Sequence, residues 1–380
     1  MKSSLKALKT LTGSAFRSHS SQANARNSSA QGASRNISIR ASPTNLNDTV
    51  PDPIAPEPTI SMDAEDFLEP IITRDAVVHF AYDVNNPPPR PDADAANTQA
   101  EGSSWTRFVC ISDTHCNMFK VPDGDVLLHA GDLTHSGRFK QMKPTIDWIK
   151  QQMHPHKIII AGNHDLTLDH DWYLEHGDGW HRTLENPPDI RKLMEPREGD
   201  TTFHYLQYES LEIMHGNTRW KAFGSPGSPW FGGWAFNYDR ETEAQGITDQ
   251  IPEDVDILLT HGPPRGILDL TSRGVLAGCA ALKSRVEQLR PAIHIFGHIH
   301  EDRGAIVQEW PDSDATNTTT TATGSGDEAT QENPSTRRKQ RKFTVFVNAA
   351  VQPGFQNKSL MTPGTSGYHY PAIIVDIRNQ

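Results

Sequence analysis

Five short apolar runs each end in side chains that can bind a metal ion or move a proton. Phe108-Val109-Cys110-Ile111-Ser112 leads into Asp113 and His115, Val126-Leu127-Leu128-His129-Ala130-Gly131 into Asp132, and Ile158-Ile159-Ile160-Ala161-Gly162 into Asn163, His164 and Asp165. Ile257-Leu258-Leu259-Thr260 precedes His261, and Ile293-His294-Ile295-Phe296-Gly297 precedes His298 and His300. Carboxylate, amide and imidazole together suit first-row divalent ions such as Mn2+, Zn2+ or Fe. Asp113, His115, Asp132, Asn163, His261, His298 and His300 are too many donors for one tetrahedral centre, so two ions are the economical reading. A turn-favouring residue at one strand end needs no function; its repetition at five ends points to a shared site.

Runs of this length, bounded by glycine and polar residues, read as buried strands. Between the second and third, Phe139, Met142, Ile146, Ile149 and Met153 recur at helical spacing, with Pro144 tolerable only near the first turn. That crossover makes the unit βαβ and the sheet locally parallel. Ligands of open α/β sheets gather at the carboxyl ends of strands, which is where these donors lie. Further along, residues 170–196 suggest two short helices, whose His170, His176 and His181 no strand end presents to a metal. Residues 203–208, 211–215 and 220–224 read as short antiparallel strands, 279–290 as a helix closed by Pro291, and 370–377 as a last strand.

The expected organisation is a disordered N-terminal region at 1–75, an outlying strand and Pro-rich acidic linker at 76–104, and a catalytic domain at 105–380. Within that domain the Thr-rich and basic stretch 311–342 is expected to be a disordered insertion between strands 305–310 and 343–348. The chain of 380 residues carries a net charge of −11, which argues against sequence-independent binding of nucleic acid. Three cysteines give no disulfide framework and favour a reducing compartment, and no apolar run is long enough to span a bilayer. Before Asp48 there is no acid, and Leu5, Leu8, Leu11, Ala15 and Phe16 share a helical face opposite Lys2, Lys6 and Arg17. A mitochondrial transit peptide and a tail on a cytoplasmic protein both fit that start. The oligomeric state is not legible.

In these motifs the chain resembles the calcineurin-like metallophosphoesterases, whose D-x-H, G-D, G-N-H-[DE], H-G and G-H-x-H pattern is matched from Asp113 to His300. RFVCISDTH, GDVLLHAGDLT, SPWFGGWAFN and FGHIHE bring it nearest to the metallophosphoesterase-domain-containing group. The resemblance implies an α/β (α+β) fold, a four-layer αββα sandwich of two mixed sheets with a dinuclear metal site at the strand ends. It assigns Asp113, His115 and His300 to one metal, Asn163, His261 and His298 to the other, and Asp132 to both. Some members of the group lack the first histidine of the last motif; this chain keeps His298. Protein Ser/Thr phosphatases place an acid three residues after the bridging aspartate to support the catalytic histidine, whereas His135 stands there in this chain. Support for His164 would then fall to Asp165.

Two ions roughly 3.5–4 Å apart would hold a hydroxide aimed in line at phosphorus, which removes the need for a covalent nucleophile. Accordingly the chain has no G-x-S-x-G elbow, P-loop or H-E-x-x-H. His164 would protonate the leaving oxygen or pair with the phosphate. Asn163, His164, Arg265 and Trp230 are the expected substrate contacts, the tryptophan as part of an aromatic loop for a base. The expected reaction is hydrolysis of a small phosphodiester, in particular a cyclic nucleotide. Phosphomonoester hydrolysis and a catalytically weak nucleotide-binding or scaffold protein are the alternatives.

Overall fold

The computed structural model describes residues 69–91, 105–311, 341–353, 362–364 and 367–379. In chain order the elements are β1 (Ile71–Ile72), β2 (Ala76–His79), β3 (Trp105–Ile111), β4 (Val126–Ala130), α1 (Phe139–Lys150), β5 (His156–Ile160), α2 (His170–Trp180), α3 (Pro187–Leu193) and β6 (Phe203–Tyr205). There follow β7 (Glu209–His215), β8 (Thr218–Ser225), β9 (Ser228–Pro229), β10 (Asn237–Tyr238), α4 (Ala244–Thr248), β11 (Ile257–Thr260), α5 (Ala280–Leu289), β12 (Ile293–Phe296), β13 (Gly304–Glu309), β14 (Phe343–Asn348), β15 (Thr362–Gly364), β16 (Gly367–His369) and β17 (Ile373–Arg378).

Two mixed sheets carry the fold, ordered β1-β2-β17-β3-β4-β5-β6 and β13-β14-β12-β11-β8-β7. In each, four neighbouring strands run parallel: β3, β4, β5 and β6 in the first, β14, β12, β11 and β8 in the second. Because successive side chains alternate across a strand, each sheet buries two faces. Phe108, Cys110, Leu128 and Ile158 of the first sheet pack with Trp220, Leu259, Ile293 and Val345 of the second in one cluster. The opposite face of the first sheet, Val109, Ile111, Leu127 and Ile159, meets Met142 and Ile146 of α1, Tyr173 of α2 and Ile190 of α3. Leu258, Phe296 and Phe346 of the second sheet meet Ala244 of α4 and Leu282 and Val286 of α5. The order is therefore helix, sheet, sheet, helix, the αββα sandwich implied by the motifs. Among the described residues no helix is long and apolar enough to cross a membrane.

Several local expectations are corrected. Strand β6 pairs parallel with β5 instead of joining an antiparallel group, because its Phe203 faces the helical layer beside Ile159. Helix α1 ends at Lys150, leaves Met153 exposed, and runs through Pro144 in its second turn; burial of Met142, Ile146 and Ile149 holds the helix where one hydrogen bond is missing. Ordered structure begins before residue 76, since Ile71 and Ile72 pair with Val78 and Val77. Nor is β2 outlying, as it pairs with β17 inside the first sheet. The start of the Pro-rich stretch is pinned: Arg107 donates to the carbonyls of Pro88 and Pro89 at 2.9 and 3.0 Å, and Arg90 forms a two-pronged pair with Asp125 at 2.7 and 2.9 Å. The expectations for residues 1–68, 92–104 and 312–340 lie outside the described residues.

Arg107 on β3 also grips Asp376 on β17 with two bonds of 2.8 and 2.7 Å, both side chains buried and opposite each other in register. Removing one partner of such a pair strands a charge in a low-dielectric interior, typically about 3–5 kcal/mol. Asp376→Ala is expected to lose stability on that scale, read as a lowered urea midpoint with an unchanged slope; a midpoint within error of the parent would contradict it.

Candidate metal centre

All the candidate donors lie just past parallel strands, at one end of the sandwich. From the first sheet, β3 delivers Asp113 and His115, β4 delivers Asp132 and β5 delivers Asn163. From the second, β11 delivers His261 and β12 delivers His298 and His300. Asp113, His115, Asp132 and His298 have φ of 54, 44, 55 and 67°, a region that costs roughly 1–3 kcal/mol per non-glycine residue. The backbone bonds that hold them there extend the β3–β4 pairing past the strands: Asp113 N–H to Gly131 O at 2.9 Å and His115 N–H to Asp132 O at 3.0 Å. His298 N–H instead crosses between the sheets to the Asp113 carboxylate at 3.1 Å.

The donors converge. Asp113, His115 and His300 offer atoms within 4.8 Å of one another, as do Asp113, Asp132 and His261, and also His115, Asp132 and His164. His300 Nε2 lies 3.0 Å from Asp113 Oδ1, and Asp132 spans His115 Nε2 at 3.6 Å and His261 Nε2 at 3.4 Å with its two oxygens. Asn163 Oδ1 sits 2.9 Å from His261 Nε2, and the His298 ring is edge-on to that of His261 at 5.1 Å. Since a carbonyl can only accept, His261 Nδ1–H donates to Ala130 O and His115 Nδ1–H to Thr134 O, at 2.9 and 3.2 Å. Both Nε2 atoms are thereby turned to the shared space, the arrangement a metal-binding histidine needs.

Space and charge fit cations as well. A Cβ at Gly131, whose φ is +97°, would meet Ala161 O at 2.6 Å and His261 Nδ1 at 2.7 Å, and one at Gly297 would run into Asp113 Oδ2 and Ser112 Oγ. Burial favours the neutral form of Asp113, yet the nearby His300 and His261 hold it below the usual carboxylate range. Asp132 behaves alike, with burial outweighed by His261, His164 and His115. Burial likewise opposes charge on His261, but Asp132 and Asp113 push it up to about 9, while burial draws His115 down to about 4 and His298 to about 3. Two buried carboxylates with open imidazole and amide donors form a set whose chemistry suits divalent ions.

Above the donors lies a cavity of about 340 Å³ lined by Asp132, Asn163, His164, Phe231, Trp234, His298, His300, Glu301 and Pro353. Three expected contacts are placed otherwise. Asp165 does not support His164: its oxygens accept from Leu133 N, Thr134 N, Thr134 Oγ1 and Gly162 N at 2.8–3.0 Å, clamping the Asp132 loop to the Asn163 loop. Burial, with Asp132 adding, pushes its carboxyl up to about 7. His164 instead donates Nδ1–H to the backbone carbonyl of His135 at 2.9 Å, a bond any residue at 135 could accept, so the departure from the phosphatase acid leaves this histidine supported. Arg265 is exposed and Trp230 is 60% exposed, and neither lines the cavity. Phe231, itself 65% exposed at the rim, and Trp234 of the same loop do, and Trp234 lies against His164 at 4.1 Å with Trp180 of α2 at 4.1 Å behind it. Spacing within the loop did not tell which rings border the cavity.

A family model described as calcineurin-like phosphoesterase matches residues 106–302. Metallophosphoesterase domain-containing protein 1 of human and of mouse is 37% identical over 212 residues, 53% of this chain and 63% of those proteins. The chain thus matches less than two thirds of their length. A UPF0046 protein of Caenorhabditis elegans is 34% identical over 229 residues, 59% of this chain and 70% of that protein.

Metal uptake is expected to release a proton. Against burial, Asp132 and Asp113 push His261 up to about 9, and Asp113 also raises His300 above the usual imidazole range, so a metal that needs both neutral must displace their protons, whereas burial keeps His115 and His298 neutral. Affinity for Mn2+ should rise as pH climbs towards 9, and titration calorimetry near neutral pH, in buffers of different ionisation enthalpy, should report more than one proton released on filling both sites. Release of none would contradict this reading of His261.

Proposed function

The chain belongs to the calcineurin-like phosphoesterase family, and on that premise we propose that it is a metal-dependent hydrolase of phosphodiesters, with cyclic nucleotides as the preferred substrates. Asp113, His115 and His300 would hold one ion and Asn163, His261 and His298 a second, with Asp132 shared; Mn2+ suits the set best, with Fe or Zn2+ as alternatives. Bound there, the ions would lower the pKa of water towards neutrality and offset charge developing on the phosphate oxygens.

The observation that carries the preference for diesters is the cavity wall. Beyond the candidate ligands and His164, its described residues are Phe231, Trp234, Glu301 and Pro353, with neither lysine nor arginine among them. A phosphomonoester carries a charge of about −1.5 to −2 at neutral pH and a diester only one, so a carboxylate at the rim disfavours the monoester more. Glu301 is held in place by Ser272 Oγ at 3.1 Å. Phe231 and Trp234 offer flat apolar faces for a base, which every nucleotide can stack upon.

His164 supplies the proton. Its Nδ1–H is committed to His135 O, which leaves Nε2 as the end that serves substrate, and the Trp234 ring beside it limits its rotation. As the imidazolium it would give its Nε2 proton to the leaving oxygen and be left neutral with Nδ1–H still on His135 O, while Asn163 orients the phosphate.

The purified protein with Mn2+, tested against bis-p-nitrophenyl phosphate, p-nitrophenyl phosphate and cyclic nucleotides, is expected to turn over the diesters faster. Asp132→Ala and His261→Ala should fall to background while keeping the parent far-UV circular dichroism. Glu301→Gln should raise monoester turnover several-fold relative to diester. Turnover by Asp132→Ala with added Mn2+ would overturn the site assignment, and a parent preference for monoesters would overturn the substrate class.

A further inference from the structure

Two buried histidines outside the ligand set occupy equivalent places in the two sheets. His129 lies on β4 beside β3, and His294 on β12 beside β11, each fully buried on the strand next to one that delivers ligands. Each meets a threonine adjacent in sequence to a ligand. His129 Nε2 is 3.0 Å from the hydroxyl of Thr114, which stands between Asp113 and His115; His294 Nε2 is 2.9 Å from the hydroxyl of Thr260, which precedes His261.

The proton positions follow from the remaining partners. Gly131 N–H donates to His129 Nδ1 at 3.3 Å, so the proton of that ring sits on Nε2 and is given to Thr114, whose own hydroxyl proton goes to Leu133 O at 3.4 Å. Gly131 and Leu133 flank Asp132, so the relay starts on one side of that aspartate and ends on the other. In the second sheet Thr260 donates to Gly262 O at 2.7 Å and must accept from His294, which also places the proton on Nε2; Thr260 and Gly262 flank His261. Among the described residues His294 Nδ1 has no hydrogen-bond partner, and its ring packs edge-on to Phe296 and Phe346.

We propose that His129 and His294 are positioning residues, neutral Nε2–H imidazoles that orient the hydroxyls of Thr114 and Thr260 so that each hydroxyl braces the backbone around a metal ligand. The inference concerns how the donors are aimed and rests on the site assignment above. Hydrogen bonds that orient ligands from behind are typically worth about 10–100-fold in metal affinity. Burial keeps both rings uncharged, for His129 against the opposing pull of Asp113 and Asp132.

The test compares Thr260→Val, which keeps the shape and loses the hydroxyl, with Thr260→Ser, which keeps the hydroxyl, and pairs them with Thr114→Val and Thr114→Ser. Mn2+ affinity by titration calorimetry and metal stoichiometry by elemental analysis are read alongside the melting temperature of the metal-free form. The valine variants are expected to bind Mn2+ about 10–100-fold more weakly and the serine variants to recover most of that loss. Long-range proton–nitrogen spectra of the folded parent should show both rings protonated at Nε2 alone. Parent-like affinity in a folded valine variant, serine variants as weak as valine ones, or a ring protonated at Nδ1 would overturn the proposal. If a valine variant does not fold, the spectra decide. A parent that binds no metal at all would instead sink the site assignment and leave the tautomers to be read separately.

Discussion

Two carboxylates, Asp113 and Asp132, are buried where the protein has little else polar to offer them but histidine and backbone amide. Burying an ionised carboxylate is costly unless cations or strong donors surround it. Here the compensation comes from His300 and His261 and from the amides of His164 and His298. The metal-free centre is thus a set of acid–imidazole contacts whose geometry already resembles coordination. Divalent ions would replace shared protons with a larger positive charge, which is why one set of contacts can serve both states.

This compensation is drawn from two sheets. Both aspartates belong to the first, while His261, His298 and His300 come from the second, so the centre exists only where the faces are locked together. The lock is apolar: Trp220 stands edge-on to Phe108 at 5.1 Å across the interface, within a cluster shared by both sheets. Polar ties across the same gap, His261 to Ala130 O and the His298 amide to Asp113, then set the direction of individual side chains. Apolar burial supplies affinity between the layers without direction, and the hydrogen bonds supply direction with little net stability.

What was legible in the sequence follows from this division of labour. Strand runs such as Ile257–Thr260 carry their own signal in apolar continuity, and their ends mark where ligands emerge, so the donors could be named before their neighbours were known. Contacts that depend on register could not. His129 and His294 read as ordinary strand residues, because only strand pairing shows which threonine each one faces. Asp165 follows a ligand and a catalytic candidate in sequence, yet the tight turn after β5 aims it back at the Asp132 loop, away from His164. In the aromatic loop, Phe231 and Trp234 are selected over Trp230 by a turn built on Asn237, whose Oδ1 accepts from the amides of both residues at 3.1 Å. Composition reveals that such a loop is aromatic but not which rings border the cavity.

The strained backbone at the centre has a physical reason that strand geometry alone makes plain. A parallel strand that continued straight past Ile111 would send Asp113 and His115 to the same face as Val109 and Ile111, into the helical layer and away from the second sheet. Left-handed φ values at Asp113, His115 and Cys116 redirect the chain there, so that both donors meet those of the second sheet. Holding His115 there depends on its amide bond to Asp132 O and the ring bond to Thr134 O. Asp132 is left-handed too, and its carbonyl is the acceptor in the first of those bonds. Each turn therefore stabilises the conformation of the other, and neither donor could be aimed this way by its own strand in isolation.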